Sequence, residues 1–446
     1  MPRSEAFFRI GQFEKCLKNI QAARQGVLSD ETVEKLEKRE KECERKLSDT
    51  KSKCEDFKNF FELTYEPHDK IPFIVNCLEL HRNDKFGRFV ITTQDLQPGD
   101  VIAVEQPHFS FISPSAVFER CFNCLRSNML DLYPGTSCAM FCSDECRVET
   151  DKKFNCKDKL IQDSLSGNNM RQKMMRIMSD ALNAAESFEE LKALVKSLDG
   201  KSIFDFDLKD STESQMKKNM LICISSFVPM RDFGVADYLK GLLCLPEGDK
   251  KEFFVNFIAR IILNYMKNGV KLPGREISSP DGGLLLPFVA MINQSCDPNL
   301  YASFVENKCI LTVLRPIASG DQIFVNYRSG IKMLFIHRKT FIEQKKEARQ
   351  AELLKTYEFL CECDACINDY PLPNKLRRTD DFFSLPNFGQ FGPNDELLIE
   401  LKANFKYMKN NTESHPSYET AAITLRNKEL IHTICDRNRL ARDSEG

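Results

Sequence analysis

The sequence predicts an α+β chain: a β-rich centre, carrying a cysteine-rich insert and a helical insert, held between helical ends. Three observations lead there. Short runs rich in β-branched and aromatic residues, such as "GRFVITT" and "DVIAVEQ", alternate with turn-forming segments. Longer segments before and after them space apolar residues three and four apart among charges. Cysteines gather in two tight clusters, at 121–156 and 361–366.

A chain of 446 residues suits two to four domains. Its 42% hydrophobic and 29% charged content is that of an ordinary globular protein. A net charge of −2 argues against a protein held to nucleic acid by a basic surface. No apolar run reaches the roughly 18 residues of a membrane helix, and "MPRSEAFFRIGQFEKC" lacks the pattern of a secretory signal. The expectation is a cytoplasmic and/or nuclear protein with no membrane contact. Thiols stay reduced in those compartments, so clustered cysteines read as metal ligands. The scattered Cys16, Cys43, Cys54, Cys77, Cys223, Cys244, Cys309 and Cys435 read as small buried residues.

In chain order, residues 1–70 read as helix, the highly charged "ETVEKLEKREKECERKLSDTKSKC" being either one solvated helix of a pair or a short coiled coil. Residues 71–115 hold strands at "FIVNCLEL", "GRFVITT" and "DVIAVEQ", with Pro98-Gly99 as a turn. The first cysteine cluster occupies 116–160 and a helical insert 161–255. Strands return over 256–335 at "ASFVENKCILTVLRPI" and "GDQIFVNY". A charged helix in 336–370 leads to the second cluster, and 371–446 ends in helices near 394–409 and 417–436.

The first cluster pairs Cys121-x2-Cys124 with Cys142-x3-Cys146, a spacing that lets four thiolates close on one tetrahedral zinc. Cys138 and Cys156 remain for a second finger site, with no histidine between His108 and His337, so that site is expected to be lost or weak and replaced by packing around Phe141 and Phe154. The second cluster, Cys361-x-Cys363-x2-Cys366, offers three thiolates where a closed structural site needs four. Cys296, in "INQSCDPN", is the candidate for the fourth: Asp297-Pro298-Asn299 forces a turn there that should leave Cys296 on the outside of its strand. The alternative for Cys296 is a buried free thiol. The count is therefore about two zinc ions.

At these residues the chain resembles the SET-and-MYND family of protein-lysine methyltransferases. "NDKFGRFVITTQDLQPGDVIAVEQP" is similar to the N-terminal SET segment, 121–156 to the inserted MYND zinc finger, "LLLPFVAMINQSCDPNLYASF" to the "LLNHSCDPN" box, "RPIASGDQIFVNY" to the segment ending in the catalytic tyrosine, and "YEFLCECDAC" to the post-SET motif. The helical N-terminus resembles the end of a TPR pair, which suggests the TPR-bearing branch.

The resemblance implies a β-rich SET fold in which the Asn293–Asn299 and Tyr327 segments lie side by side. It implies S-adenosylmethionine as cofactor and a protein lysine as substrate, with peptide partners at the finger and helical ends. Direct binding to DNA is not expected, because the finger lacks a basic recognition helix. Tyr327 is the implied catalytic residue. Lys85, Phe86, Gly87, Asn293, Gln294, Phe359 and Tyr327 itself are implied cofactor contacts, with Asn256 as a further one; Phe359 and Asn256 also read as plain packing and plain structure. Gln294 stands where the family has histidine, which with the incomplete finger keeps open a second function: a catalytically impaired SET-MYND protein serving as an interaction scaffold or transcriptional co-regulator.

Overall fold

The computed structural model describes residues 2–442 apart from 10–12, 27–28, 52–58, 108, 114–115, 126–131, 135–139, 155–176, 178–180, 183–184, 186, 197–200, 210–234, 244, 273–281, 306–307, 328–339, 382 and 393. Cys138, Cys156 and part of the predicted helical insert lie outside the described residues.

Three helices open the chain: α1 (Pro2–Arg9), α2 (Phe13–Ala23) and α3 (Asp30–Lys51). They share a small core of Phe7, Cys16, Ile20, Leu36 and Cys43. Arg39 of α3 reaches back to Ser4 and Glu5 of α1. The charged segment is thus the solvated member of this helical array, with Leu36 and Cys43 as its inward residues.

The first strands form a hairpin, β1 (Leu78–Asn83) with β2 (Gly87–Thr92), in register Asn83↔Gly87. Its three-residue loop needs a left-handed residue at its end, and Gly87 supplies it at φ 62. The strand expected from residue 73 begins only at Leu78. Ile74, Val75, Cys77 and Leu78 are all buried, but the backbone before them is taken up by turns, Ile71 N–H to His68 O and Ile74 N–H to Ile71 O. The segment instead crosses β3 (Val101–Glu105) with single bonds, Val75 N–H to Ile102 O and Val104 N–H to Phe73 O.

The central sheet runs β10 (Leu300–Val305), β11 (Lys308–Val313), β3, all antiparallel. Both faces are buried. Leu300, Phe304, Cys309, Leu311 and Val313 face the main core. Tyr301, Val305 and Ile310 face the tail helices α10 (Asn394–Asn410) and α11 (Tyr418–Arg442), against Leu401, Phe405 and Ile431. The two tail helices lie where the periodicity put them.

A second sheet, β4 (Phe109–Ile112), β8 (Gly282–Leu285), β7 (Val270–Leu272), carries the helical insert. In that insert α5 (Phe188–Lys196), α6 (Val235–Leu242) and α7 (Asp249–Asn268) bury Leu191, Leu239, Phe254 and Ile258 together. The division expected at 255/256 falls inside α7, whose apolar face is continuous across it. The first cysteine cluster takes Cys121 and Cys124 from before β5 (Tyr133–Pro134), Cys142 from just after its partner β6 (Met140–Phe141), and Cys146 from α4 (Asp144–Phe154). The strand expected at "GDQIFVNY" shrinks to β12 (Phe324–Val325), paired in parallel with β9 (Asn293–Gln294). The charged helix before the second cluster is α8 (Lys346–Tyr357), followed by one turn, α9 (Asp364–Ile367).

Glu105, the last residue of β3, is fully buried. Its carboxylate oxygens accept Phe288 N–H at 2.8 Å and Val289 N–H at 3.0 Å, capping the turn that leads into residues 292–299. Burial pushes its carboxyl from the usual 4.5 up to about 8. A raised carboxyl pKa means the folded state holds the proton more tightly, so Glu105's contribution to stability falls as pH rises through about 8. In thermal melts between pH 6 and 9, Glu105→Gln should flatten the downward trend of the wild type. At neutral pH the same change should cost about 1–3 kcal/mol, because one amide N–H would face a backbone N–H.

Candidate active site and metal centres

Residues 293–299 and 322–327 cross side by side, and few of the bonds between them belong to a regular ladder. Ser295 N–H donates to Val325 O at 2.9 Å. Asn299 donates to Gln322 O at 3.0 Å and accepts Phe324 N–H at 2.7 Å. Asn326 donates to Ser295 O at 3.1 Å. Gln294 accepts the Tyr327 N–H through its amide oxygen. Asn299, Asn326 and Gln294 therefore satisfy backbone that the two-residue pairing leaves over.

Cys296 lies within this crossing and is fully buried, not on an outer face as the turn had suggested, because the tail folds over it. Its Sγ is 3.9 Å from Cys361 Sγ and 3.7 Å from Cys366 Sγ, and its N–H points to Cys363 Sγ at 3.3 Å. The ligand atoms of the four all lie within 4.8 Å of one another. Four thiolates about 2.3 Å from a tetrahedral zinc stand about 3.8 Å apart, whereas a disulfide needs about 2 Å. The set fits a zinc ion. Hydrogen bonding among the sulfurs, Cys361 foremost for Cys296 and Cys296 foremost for Cys363, holds the first thiol well above and the second well below the usual thiol range. A divalent cation would let all four ionise. The buried Arg349 guanidinium, 3.9 Å from Cys366 Sγ and 3.3 Å from Ala365 O, sets a positive charge beside them.

The finger set is Cys121, Cys124, Cys142 and Cys146. Cys142 Sγ is 3.5 Å from Cys124 Sγ and 3.6 Å from Cys146 Sγ, so this cluster passes the same test. Its own core is little more than Cys121 and Phe141, with Phe122 edge-on to Phe141 at 6.4 Å. Among the described residues these two are the groups that could hold a metal.

A cleft of about 970 Å³ opens beside the tail cluster, within the range of small-molecule sites. Lys85, Phe86, Asn293, Gln294, Tyr327 and Phe359 all line it. Gly87 adjoins it through the β1–β2 turn, where Asn83 caps Phe86 N–H at 2.7 Å and Asn293 donates to Phe86 O at 3.3 Å. Asn256 is exposed on α7 and does not line the cleft; Asn268, at the end of the same helix, does. The offset follows from helix geometry, since 12 residues of rise separate the two.

Tyr327 packs in an aromatic trio, 5.1 Å from Tyr357 and 6.5 Å from Phe359 between ring centres. Tyr357 Oη donates to Tyr327 O at 3.2 Å. Burial first, then the Tyr357 hydroxyl, raises the Tyr327 phenol pKa, so its hydroxyl stays protonated and available as a donor at neutral pH. Tyr357 and Arg349 escaped the sequence reading. The only signal for Tyr357 was its place two residues before Phe359; Arg349 looked like one of many charges on a solvated helix.

Asp297 joins the crossing to the tail. Its carboxylate takes Arg315 at 2.7 Å and His415 Nε2 at 2.8 Å. Burial pushes its carboxyl up, but Arg315 and His415 outweigh that and hold it below the usual range.

The SET domain family matches residues 87–328 of this chain. The chain is similar to the histone-lysine N-methyltransferase ASHR1 of Arabidopsis thaliana, 22% identical over 66% of this chain and 55% of that protein. It is similar to a SET and MYND domain-containing protein of Dictyostelium discoideum, 30% identical over 28% of this chain and 35% of that one. With the N-lysine methyltransferase SMYD2-A of Xenopus laevis it shares 29% identity over 24% of this chain and 22% of that protein. The matched stretches thus span about half or less of these relatives' lengths.

Metal analysis of the purified chain should give two zinc ions, by the two four-thiol sets. Three would assign a further site to Cys138 and Cys156, and one or none would undo the ligand sets. Asp297→Ala leaves Arg315 and His415 facing an empty, buried position, and should cost about 3–5 kcal/mol in denaturant unfolding.

Proposed function

The chain belongs to the SET-domain family, and on that premise we propose that it is an S-adenosylmethionine-dependent protein-lysine N-methyltransferase of the SET-and-MYND type. The observation that carries the reading is the cleft itself: Tyr327, Asn293, Gln294 and Phe359 meet in one cavity beside the Cys296 cluster, although they come from segments far apart in sequence.

The residues suit the cofactor. The cleft offers aromatic faces at Tyr357 and Phe359, amide groups at Asn293 and Gln294, and open backbone at Lys85–Gly87. Phe359 and Tyr357 would pack on the adenine, and the turn at Gly87 would approach the amino acid end. When bound, S-adenosylmethionine supplies the electrophilic methyl group for an in-line displacement. The chain's part is to hold the substrate amine in line with that methyl and to favour its neutral form through apolar walls. The protonated Tyr327 hydroxyl is the group placed to orient the amine. Zinc at the tail cluster would hold Phe359 at the cleft, two residues from Cys361.

The scaffold alternative drew on Gln294 and on the incomplete finger. Gln294 keeps both ends of its amide engaged at the cleft, at Tyr327 N–H and towards Cys296 Sγ, which speaks for a retained site. Peptide partners at the finger, a TPR-like role for α1–α3, and a cytoplasmic and/or nuclear location belong to the same proposal.

Two measurements test it. Calorimetry should detect S-adenosylmethionine binding to the full chain. Radiolabelled methyl transfer onto proteins of a cell lysate should be seen with wild type and fall roughly hundredfold in Tyr327→Phe, with cofactor binding kept; equal transfer by both proteins would remove Tyr327 from the mechanism.

A further inference from the structure

β12 stops at Val325, so the regular pairing between the crossed segments ends two residues before Tyr327. The Tyr327 N–H is held instead by a side chain, the amide oxygen of Gln294. The other end of that amide, Nε2, lies 3.9 Å from Cys296 Sγ. Gln294 is 8% exposed, at the wall of the cleft.

We propose that Gln294 is a positioning residue that ties the placement of Tyr327 to the state of the Cys296–Cys361–Cys363–Cys366 cluster. The inference rests on the reading of Tyr327 as the residue that orients the amine. An amide carries an acceptor and a donor on one rigid plane. Here the acceptor fixes the backbone of Tyr327, and the donor faces a sulfur that is a thiolate when the cluster holds metal. Donors to metal-bound thiolates set both ligand orientation and metal affinity. A change at the cluster therefore reaches the Tyr327 backbone N–H through this side chain, beside the contacts that Tyr357 and Phe359 make with the tyrosine ring. The length is specific: asparagine is one methylene short, and glutamate keeps the acceptor but has no N–H for the sulfur. Histidine can offer one nitrogen to each partner.

The test uses the full chain and reads two quantities that do not require activity: hydrogen exchange at the Tyr327 amide, and release of each zinc ion to a coloured chelator. In Gln294→Met, Tyr327 exchange should rise about tenfold, the worth of one hydrogen bond. Release of one of the two zinc ions should quicken about tenfold or more, while the finger ion keeps its wild-type rate. Gln294→Glu should separate the two ends, with Tyr327 still protected and one zinc released faster. Gln294→His should keep both near wild type. In wild type, stripping the tail zinc should raise Tyr327 exchange, and in Gln294→Met it should add little.

Unchanged exchange and unchanged zinc release in Gln294→Met would overturn the proposal. Should that variant lose protection across β10 and β11 as well, Gln294→Glu decides: protection at Tyr327 with fast release of one zinc supports the link, and any other pattern overturns it. A protein that shows these shifts yet transfers no methyl group would keep the link and sink only the functional reading.

Discussion

The crossing of residues 293–299 with 322–327 is the constraint on which the site depends. Two strands that meet for only two residues cannot hold each other by a ladder. Buried backbone left unpaired would cost more than the contact gains, so the surplus is met by side chains. Asn299 answers one donor and one acceptor of the facing segment, Asn326 one carbonyl, and Gln294 the Tyr327 N–H. That is why a run framed by leucines and phenylalanines carries so many amides at its centre. Removing any of them leaves a specific buried group unanswered, which makes this stretch far less tolerant than the apolar strands around it.

The cleft draws its walls from parts of the chain that no local sequence pattern joins, among them the β1–β2 turn, β9, the segment ending at Tyr327, and the segment after α8. What brings the last of these into place is the sulfur cluster. Cys296 belongs to the crossing and the other three cysteines to the tail, so one ion would close a loop of some 65 residues. Asp297 acts beside it by another route, taking Arg315 from the loop after β11 and His415 from the turn before α11. Metal ligation and the Asp297–Arg315–His415 contacts thus dock the tail at adjacent residues. The tail helices complete the arrangement by covering the second face of the central sheet.

Much of this was legible in the amino-acid order, for identifiable reasons. Helices α10 and α11 were legible because a 3.6-residue period survives over many turns. The two metal sets were legible because cysteine spacing is fixed by ligand geometry, and Cys296 could be assigned because three thiolates call for a fourth. What escaped depends on contacts distant in sequence. The burial of Cys296 comes from a tail about 65 residues away, and a turn signal says nothing about what will cover it. Phe73–Cys77 looked like strand because its residues are β-formers, but turn bonds before it and single bonds to β3 take up its backbone. Asn256 and Asn268 sit on one helix, and only the position of the cleft near its C-terminal end separates them. Arg349 was invisible because a buried cation and a solvated one look alike in a string of charges.

The two sulfur clusters differ in a way that assigns them different work. The finger set has one fully buried cysteine and a hydrophobic core of Cys121 and Phe141. A module with so little apolar burial of its own relies on its metal to fold, while Leu125 and Phe122 tie it to the main core. The tail set has three buried cysteines, shares its apolar cluster with Phe341, Leu353 and Phe359, and has a buried guanidinium at its edge. There the apolar packing holds much of the geometry by itself, and what the metal adds is precision at the cleft wall. Loss of the finger ion would be felt at Cys121 and Phe141 and, through Phe122 and Leu125, at the edge of the main core. Loss of the tail ion would be felt at Phe359 and, through Gln294, at Tyr327.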